Sequence, residues 1–559
     1  MKKLLAMALV AILALGSIGT VFADAGSQPA WEAYDALIAE IKSTTDFVAR
    51  EALMHEAEDM LMDTGALVPL YYYNDIFMAK PDFTGYFANA FGTKFFMYAT
   101  NGDQTVAKLQ LASEPDKLEP ALNSTVDGAT LAANSFGGLY SYDADSQYVP
   151  NFATGYEMSE DGLTYTFTMR DGLVWSDGSP LTAKDFEYSW KRAVSAETAA
   201  DYEYMFNVIK GYPDALEATA SEDGKTFTVV LSSPCAYFLD LAAFPTFFAV
   251  HQETVENAKG FRDDAGAILN PGAWATEAGF VSSGAFVLES WTHDESMVYV
   301  KNDNYWDAEN VKLERIELML SADDAVIYAA YQAGDLDFID TVPQDQIQNL
   351  LDTEEFHIIG NLGTYYGIFN VKSKLFDGLT VEQAAALRKG LSAVIDRQYI
   401  VDTIAQTGQQ VANSFIPAGM LDGHGGEFKQ DDADFTYPVE TGYFAIEPDL
   451  DNARELMTQA GYEFDANGML SASTPLTMTY IYNTSSAHGA IAESMQQDFA
   501  QIGVVLNIST LEWNVFLNER KAGNFDFARN GWLADFNDPI NMLEMWTTTS
   551  GNNDAQFGR

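Results

Sequence analysis

"DFARNGWLADFNDP", Asp526 to Pro539, is the stretch on which the reading of the fold turns. Its first half, Phe527 to Leu533, carries the aromatic and apolar residues of a buried strand. Yet Arg529, Asp535 and Asp538 stand in it or directly behind it. Charge in such a place is costly unless something answers it. The sequence therefore predicts that a group from outside the chain uses this stretch.

Outward from it, strands and helices alternate. "LTMTYIYN" is followed by a helical "AHGAIAESMQQDFAQIG", then "VVLNIST", then a helical "EWNVFLNERKAG". The alternation extends back to about residue 280 through "MVYVKND", "RIELMLS", "DDAVIYAAYQAG", "GIFNV" and "VEQAAALRKGLSAVI", which argues for α/β lobes with mixed sheets. From 105 to 250 strand and turn dominate. "SEDGLTYTFTMRDGLVWSDG" (159–178) reads as a hairpin whose Asp-Gly pairs supply positive-φ turn residues, and "SEDGKTFTVVLSSP" (221–234) repeats the device. "TAKDFEYSWKRAV" reads as a capped helix. Near the start, residues 31–63 predict a helical hairpin, with Ser43, Thr44 or Asp46 as the second cap, and "ALVPLYYYNDIFMAKP" predicts a strand ended by Pro81. No linker or charge run separates these parts, so the lobes are expected to be intertwined.

At 559 residues the chain is too long for one core. Its 30 Lys+Arg against 81 Asp+Glu give a formal charge of −51, which excludes nucleic acid and anionic lipid as partners of this surface. Each well-placed cation becomes informative for the same reason. Residues 1–23 have two lysines, an apolar core and small residues before "DAG", the pattern of a cleaved export signal. Cleavage after Ala23 or Ala25 fits, and an extracytoplasmic location follows. The single cysteine, Cys235, leaves neither a lipid-anchoring cysteine nor an internal disulfide. Catalysis finds little support. The six histidines form no metal pattern, there is no Gly-x-Ser-x-Gly elbow or Walker loop, and with 81 acids the proximity of two of them is uninformative. No metal, no cofactor and no enzymatic activity are expected.

Five phrases carry a resemblance: "SEDGLTYTFTMRDGLVWSDGSPLTAKDFEYSWKRAV" (159–194), "VKNDNYWD" (300–307), "ALRKGLSAVIDRQYI" (386–400), "IYNTSSAH" (481–488) and "FDFARNGWLADFNDP" (525–539). With them the chain resembles the extracytoplasmic oligopeptide-binding proteins of ABC importers, the family 5 solute-binding proteins, over nearly all of its mature length. The resemblance implies an α/β, periplasmic-binding-protein-like fold of class II, cluster C. Two lobes joined by a hinge would close on a peptide, with an extra third domain beside them. It places one ligand-binding lobe in 27–74 plus 336–559, the other in 75–136 plus 252–335, and the extra domain in 137–251. It implies an oligopeptide ligand, a membrane permease as partner, and a monomer. Relatives on the same scaffold take oligosaccharides, nickel chelates or haem, which is the alternative reading, and a secreted hydrolase is a more distant one.

One departure is large. In the family the Gly-Trp-x-Ala-Asp phrase precedes the helical hairpin and the "VPLYYY" strand, whereas here residues 31–98 come first. The order resembles a circular permutation, closed through "MYATNGDQTVAK" (97–108), with a splice of gene fragments as the alternative. A permuted chain that folds should bring Arg559 close to the region near Gln28.

The resemblance also implies site residues. Asp535 would pair with the ligand's α-ammonium, and the main chain at Trp532, Leu533 and Ala534 would pair with its backbone. "GWLADF" is the feature that favours a peptide over a sugar. Arg529 and Arg520 match family arginines near the ligand. Lys372 and His488 match positions that approach ligand carboxylates, and Tyr202 matches a tyrosine facing the ligand backbone. Ser124 stands where the family has an acid near the ammonium, which removes one anion here.

Overall fold

Two segments rich in β-branched and aromatic residues form the longest strands, Leu67–Ala79 and Phe356–Phe369, paired antiparallel from Leu67 against Ile368 to Met78 against Phe356. Pro69 is tolerated inside the first because the ladder is irregular directly behind it, between Pro69 and Tyr71. The computed structural model describes residues 28–430, 435–439 and 442–559, so the segment read as an export signal lies outside the described residues.

These two strands are the middle of a ten-stranded mixed sheet. Beyond Phe356–Phe369 come Phe527–Leu533, Thr477–Asn483 and Val505–Leu511; beyond Leu67–Ala79 come Phe338–Ile339, Val106–Ala112, Arg315–Leu320, Ser296–Lys301 and Phe286–Thr292. Parallel neighbours need a crossover, and the helices Ser486–Ala500 and Trp513–Lys521 supply it on the far side, as the alternation in the sequence implies. The two halves join through a narrow waist. Phe338–Ile339 meets the long strand only at Met78 and Ala79. Lys94 straddles this place, its Nζ 2.7 Å from Asp75 and 2.9 Å from Asp340.

A separate four-stranded antiparallel sheet runs Ala218–Ala220, Thr226–Val230, Thr164–Met169, Ala153–Met158. Its turns correct one expectation. "TYTFTM" does not pair with the residues directly after it; it pairs upstream with Ala153–Met158 around Gly162, whose φ is +70°, and on its other edge with Thr226–Val230. "LVWSDG" instead closes a tight loop with a single bridge, Val174 to Pro180, because Leu173 and the fully buried Trp175 drop into the core beside helix Ala183–Ala193. The repeat at 221 turns around Gly224 as read, and Thr182 with Asp185 forms the helix's capping box.

Of the three candidate caps in the helical hairpin, Asp46 takes the role, accepting from the amides of Val48 and Ala49 at 3.2 Å, so the helices are Glu32–Ser43 and Phe47–Asp63. This hairpin is fastened to the segment that follows Asp535. Arg50 grips Asp538 with two bonds of 2.8 Å, Lys42 pairs with Glu544, and the Tyr34 hydroxyl donates to the Leu543 carbonyl at 2.9 Å. Trp31 stacks on Phe557 with centroids 4.0 Å apart and donates its indole N–H to the Trp546 carbonyl at 2.7 Å. Trp31 therefore lies against residues near the end of the sequence. Replacing Trp31 by Ala is expected to cost about 3–5 kcal/mol in urea unfolding. The double variant with Phe557→Ala should fall short of the sum, since both remove the same stack.

Candidate functional site

Strand Phe527–Leu533 is paired along its whole length on one edge, from Phe527 against Phe369 to Leu533 against Gly363. On the other edge only Phe527 and Ala528 meet a strand, at Tyr480 and Ile481. Among the described residues no strand covers 529–533 on that side, which leaves main-chain donors and acceptors for another extended chain. Gly531 is a requirement of packing. A Cβ there would lie 2.0 Å from the Tyr73 hydroxyl oxygen.

Where this strand ends, a cavity of about 90 Å³ opens, with Gly531, Trp532, Leu533, Ala534 and Asp535 on one wall and Phe91, Phe95, Val126, Tyr142, Phe244 and Phe248 around it; Ser124 and Tyr202 also line it. The Asp535 carboxylate accepts from the Tyr202 hydroxyl at 3.2 Å and from Asn541 Nδ2 at 3.0 Å. Asn541 is itself fixed, its Oδ1 accepting from Trp532 Nε1 at 2.9 Å and from the Asp535 amide at 3.1 Å. Every partner is neutral. Among the described residues no cation reaches Asp535, and burial pushes its pKa up to about 7 against the bonds from Asn541 and Tyr202 that lower it. Burial, then the charge of Asp535, holds the Tyr202 phenol far above its ordinary value, so it stays a donor.

Strand alternation puts Arg529 on the face of Gly531 and Leu533, about 7 Å along from Gly531. It is half-buried among tyrosines. Nη2 donates to the Tyr73 hydroxyl at 3.1 Å and the guanidinium lies 5.2 Å from the Tyr365 ring centre. His488 sits in the first turn of Ser486–Ala500 with Nδ1 3.0 Å from the Tyr365 hydroxyl. Burial and the charge of Arg529 keep it well below the ordinary histidine range, hence neutral. Arg529 and His488 thus share Tyr365, beyond the residues that line the cavity.

The remaining candidates separate. Arg520 pairs with Asp554 at 2.8 Å and donates to Asn530 at 2.9 Å, on the opposite strand face. Lys372 is exposed, and its amide donates to Asn370 at 2.9 Å. Ser124 donates to Asp201 at 2.9 Å and accepts from Lys521 at 2.8 Å; Lys521 also pairs with Asp201. Sequence reasoning missed Asn541, which follows Asp535 closely in the chain, and Tyr73, whose role arises only when distant segments meet.

A family model described as "Bacterial extracellular solute-binding proteins, family 5 Middle" matches residues 147–554. The chain belongs to this family. Oligopeptide-binding protein OppA of Bacillus subtilis is 32% identical over 466 residues, covering 80% of this chain and 79% of that protein. Dipeptide-binding protein DppE of the same organism is 30% identical, covering 81% and 79%. Among solved structures, the Escherichia coli murein tripeptide binding protein MppA superposes with a TM-score of 0.68 at 27% identity, covering 82% of this chain and 84% of that one. Haemophilus influenzae OppA in complex with RPPGFSPFR gives 0.69 at 25%, covering 81% and 85%. The chain therefore has the fold of the family 5 peptide-binding proteins, and its relatives are binding proteins by name, not enzymes. No helix among the described residues is long and apolar enough to cross a membrane.

The buried carboxyl sets a pH dependence. Its pKa rises from 3.8 in the ordinary carboxylate to about 7, so the ligand-free folded state binds the extra proton between those values and loses stability as pH rises through 7. Asp535→Asn should remove that loss and raise ligand-free stability at pH 8 by up to about 4 kcal/mol, read by thermal unfolding across pH.

Proposed function

We propose that this family 5 protein is an exported, monomeric binding subunit that captures oligopeptides between two lobes and hands them to the membrane permease of an ABC importer. The observation that carries this reading is Asp535, a carboxylate facing a cavity with only neutral partners from its own chain. A peptide's α-ammonium supplies the missing charge. From there the peptide backbone runs along the uncovered edge at 529–533, as an added strand, with Trp532, Leu533 and Ala534 at its start. Arg529, further along the same face with neutral His488 beside it, meets a carboxylate of the ligand. Arg520 and Lys372 take no direct part in this arrangement, and Ser124 acts through Lys521 and Asp201 at the cavity mouth.

In this reading, 27–74 plus 336–559 and 75–136 plus 252–335 are the two lobes. The four-stranded sheet lies in an extra domain, 137–251. Peptide binding bridges the lobes and shifts the population to the closed form that the permease recognises. The segment order belongs to the same proposal: Trp31 on Phe557 supports a circularly rearranged chain with intact architecture.

Titration calorimetry with short peptides tests this. Asp535→Asn should weaken binding by about 1.5–3 kcal/mol, one to two decades, and Nα-acetylation of the peptide should cost as much in the wild type and little in the variant. Affinity should rise with pH up to about 7, as Asp535 ionises, and fall above about 8, as the ligand's amine loses its proton. Equal affinity for free and acetylated peptides would overturn the reading. Arg529→Met should lower affinity for free-carboxylate peptides more than for their C-terminal amides.

A further inference from the structure

One polar cluster lies outside the peptide cavity and has no part in the proposed function. Glu51, on helix Phe47–Asp63, meets Asp422 and His424 of the loop "LDGHGGEF", with one ligand atom of each within 4.8 Å of the others. His424 Nε2 is 2.7 Å from Glu51 Oε2 and 3.5 Å from Asp422 Oδ2. We propose that these three side chains form a binding site for a divalent transition metal of the zinc class, fastening the helix to the loop.

The chemistry of the donor set selects the ion. One imidazole with two carboxylates suits zinc and its neighbours, whereas calcium and magnesium prefer oxygen alone. The spacing agrees. Two donors about 2.1 Å from a tetrahedral ion lie about 3.4 Å apart. The Asp422 to His424 separation already matches, and the Glu51 to His424 contact must open by about 0.7 Å.

The loop is built to present these atoms. Asp422 Oδ1 accepts from the amides of His424, Gly425 and Gly426 at 2.7, 2.9 and 3.0 Å, which keeps the carboxyl ionised and leaves Oδ2 toward the imidazole. The fold of the loop depends on glycine at two places. Gly423 has φ +84° with a Phe47 ring carbon 3.0 Å from where its Cβ would be, and Gly425 has φ +115°. Glu51 and Asp422 are buried, 3% and 2% exposed, so two carboxyl groups meet the imidazole away from bulk water. The His424 side chain is 34% exposed, which gives an ion its entry and a water the fourth position. The site also bears on the cleft from outside. Next to it the Leu421 amide donates to Asn537 at 3.0 Å, and Arg50 holds Asp538, so an ion here braces the segment behind Asp535. No local motif announces it, because Glu51 and His424 are 373 residues apart.

The test uses the full mature chain, stripped of metal and held in excess magnesium to occupy ordinary carboxylate pairs. Zinc titration should show one equivalent bound in calorimetry and a rise in thermal midpoint. Cobalt(II) should give a visible absorption band. His424→Ala should lower zinc affinity by more than about tenfold and abolish both the midpoint rise and the cobalt band, with an unchanged circular dichroism spectrum. Glu51→Gln, the second variant, should weaken binding in the same direction with the fold kept. No zinc binding by the wild type, or zinc binding and stabilisation unchanged in His424→Ala, would overturn the proposal and leave the cluster as an ion pair only.

Discussion

An uncompensated buried carboxylate is the constraint around which this molecule is organised. Asp535 could have been neutralised by a lysine or left in water, and neither happened. The protein surrounds it with a phenol and a carboxamide, which lower its pKa without supplying charge, and encloses it with aromatic side chains, which raise it. The result is a carboxyl whose pKa is raised to about 7, which suits the proposed capture of a ligand's ammonium. Function and stability are opposed at this one position, as binding sites often require. The rest of the fold absorbs that cost. Arg50 on Asp538 and Lys42 on Glu544 fasten the adjoining segment to the helical hairpin.

The large sheet supplies the second requirement, an extended backbone with one edge uncovered. Thr477–Asn483 accompanies Phe527–Leu533 for only two residues, and beyond them that edge of the strand runs uncovered toward the cavity. An exposed edge of this kind invites unwanted pairing. Here it opens into the cavity at the Asp535 end, where access is restricted to a partner that fits.

Much of this was legible in the sequence. The period-2 and helical patterns from 280 onward located most helices and strands of the far half, but of the longest strand, Phe356–Phe369, only the end at "GIFNV" was read, and Phe286–Thr292 was not. Asp535 and Trp532 were found together because a single phrase, "GWLADF", contains both, and the family resemblance added Tyr202. The failures are equally instructive. "LVWSDG" carries the turn chemistry of a hairpin, yet Trp175 gains more by entering the core than its neighbours gain from a ladder. Arg520 and Arg529 look alike in sequence, nine residues apart, but one has Asp554 opposite it and the other only tyrosine rings. Asn541 was invisible because a carboxamide becomes significant only once a strand end and a helix start are brought together.

The waist between the two halves of the sheet has a mechanical consequence. Two residues of strand pairing and one lysine between two acids form a joint far weaker in shear than the long ladders on either side. In the proposed closing motion, this seam is where bending of the sheet is expected. The ends of the chain, clasped together by Trp31 and Phe557 beside the hairpin, lie on one side of the seam and do not load it.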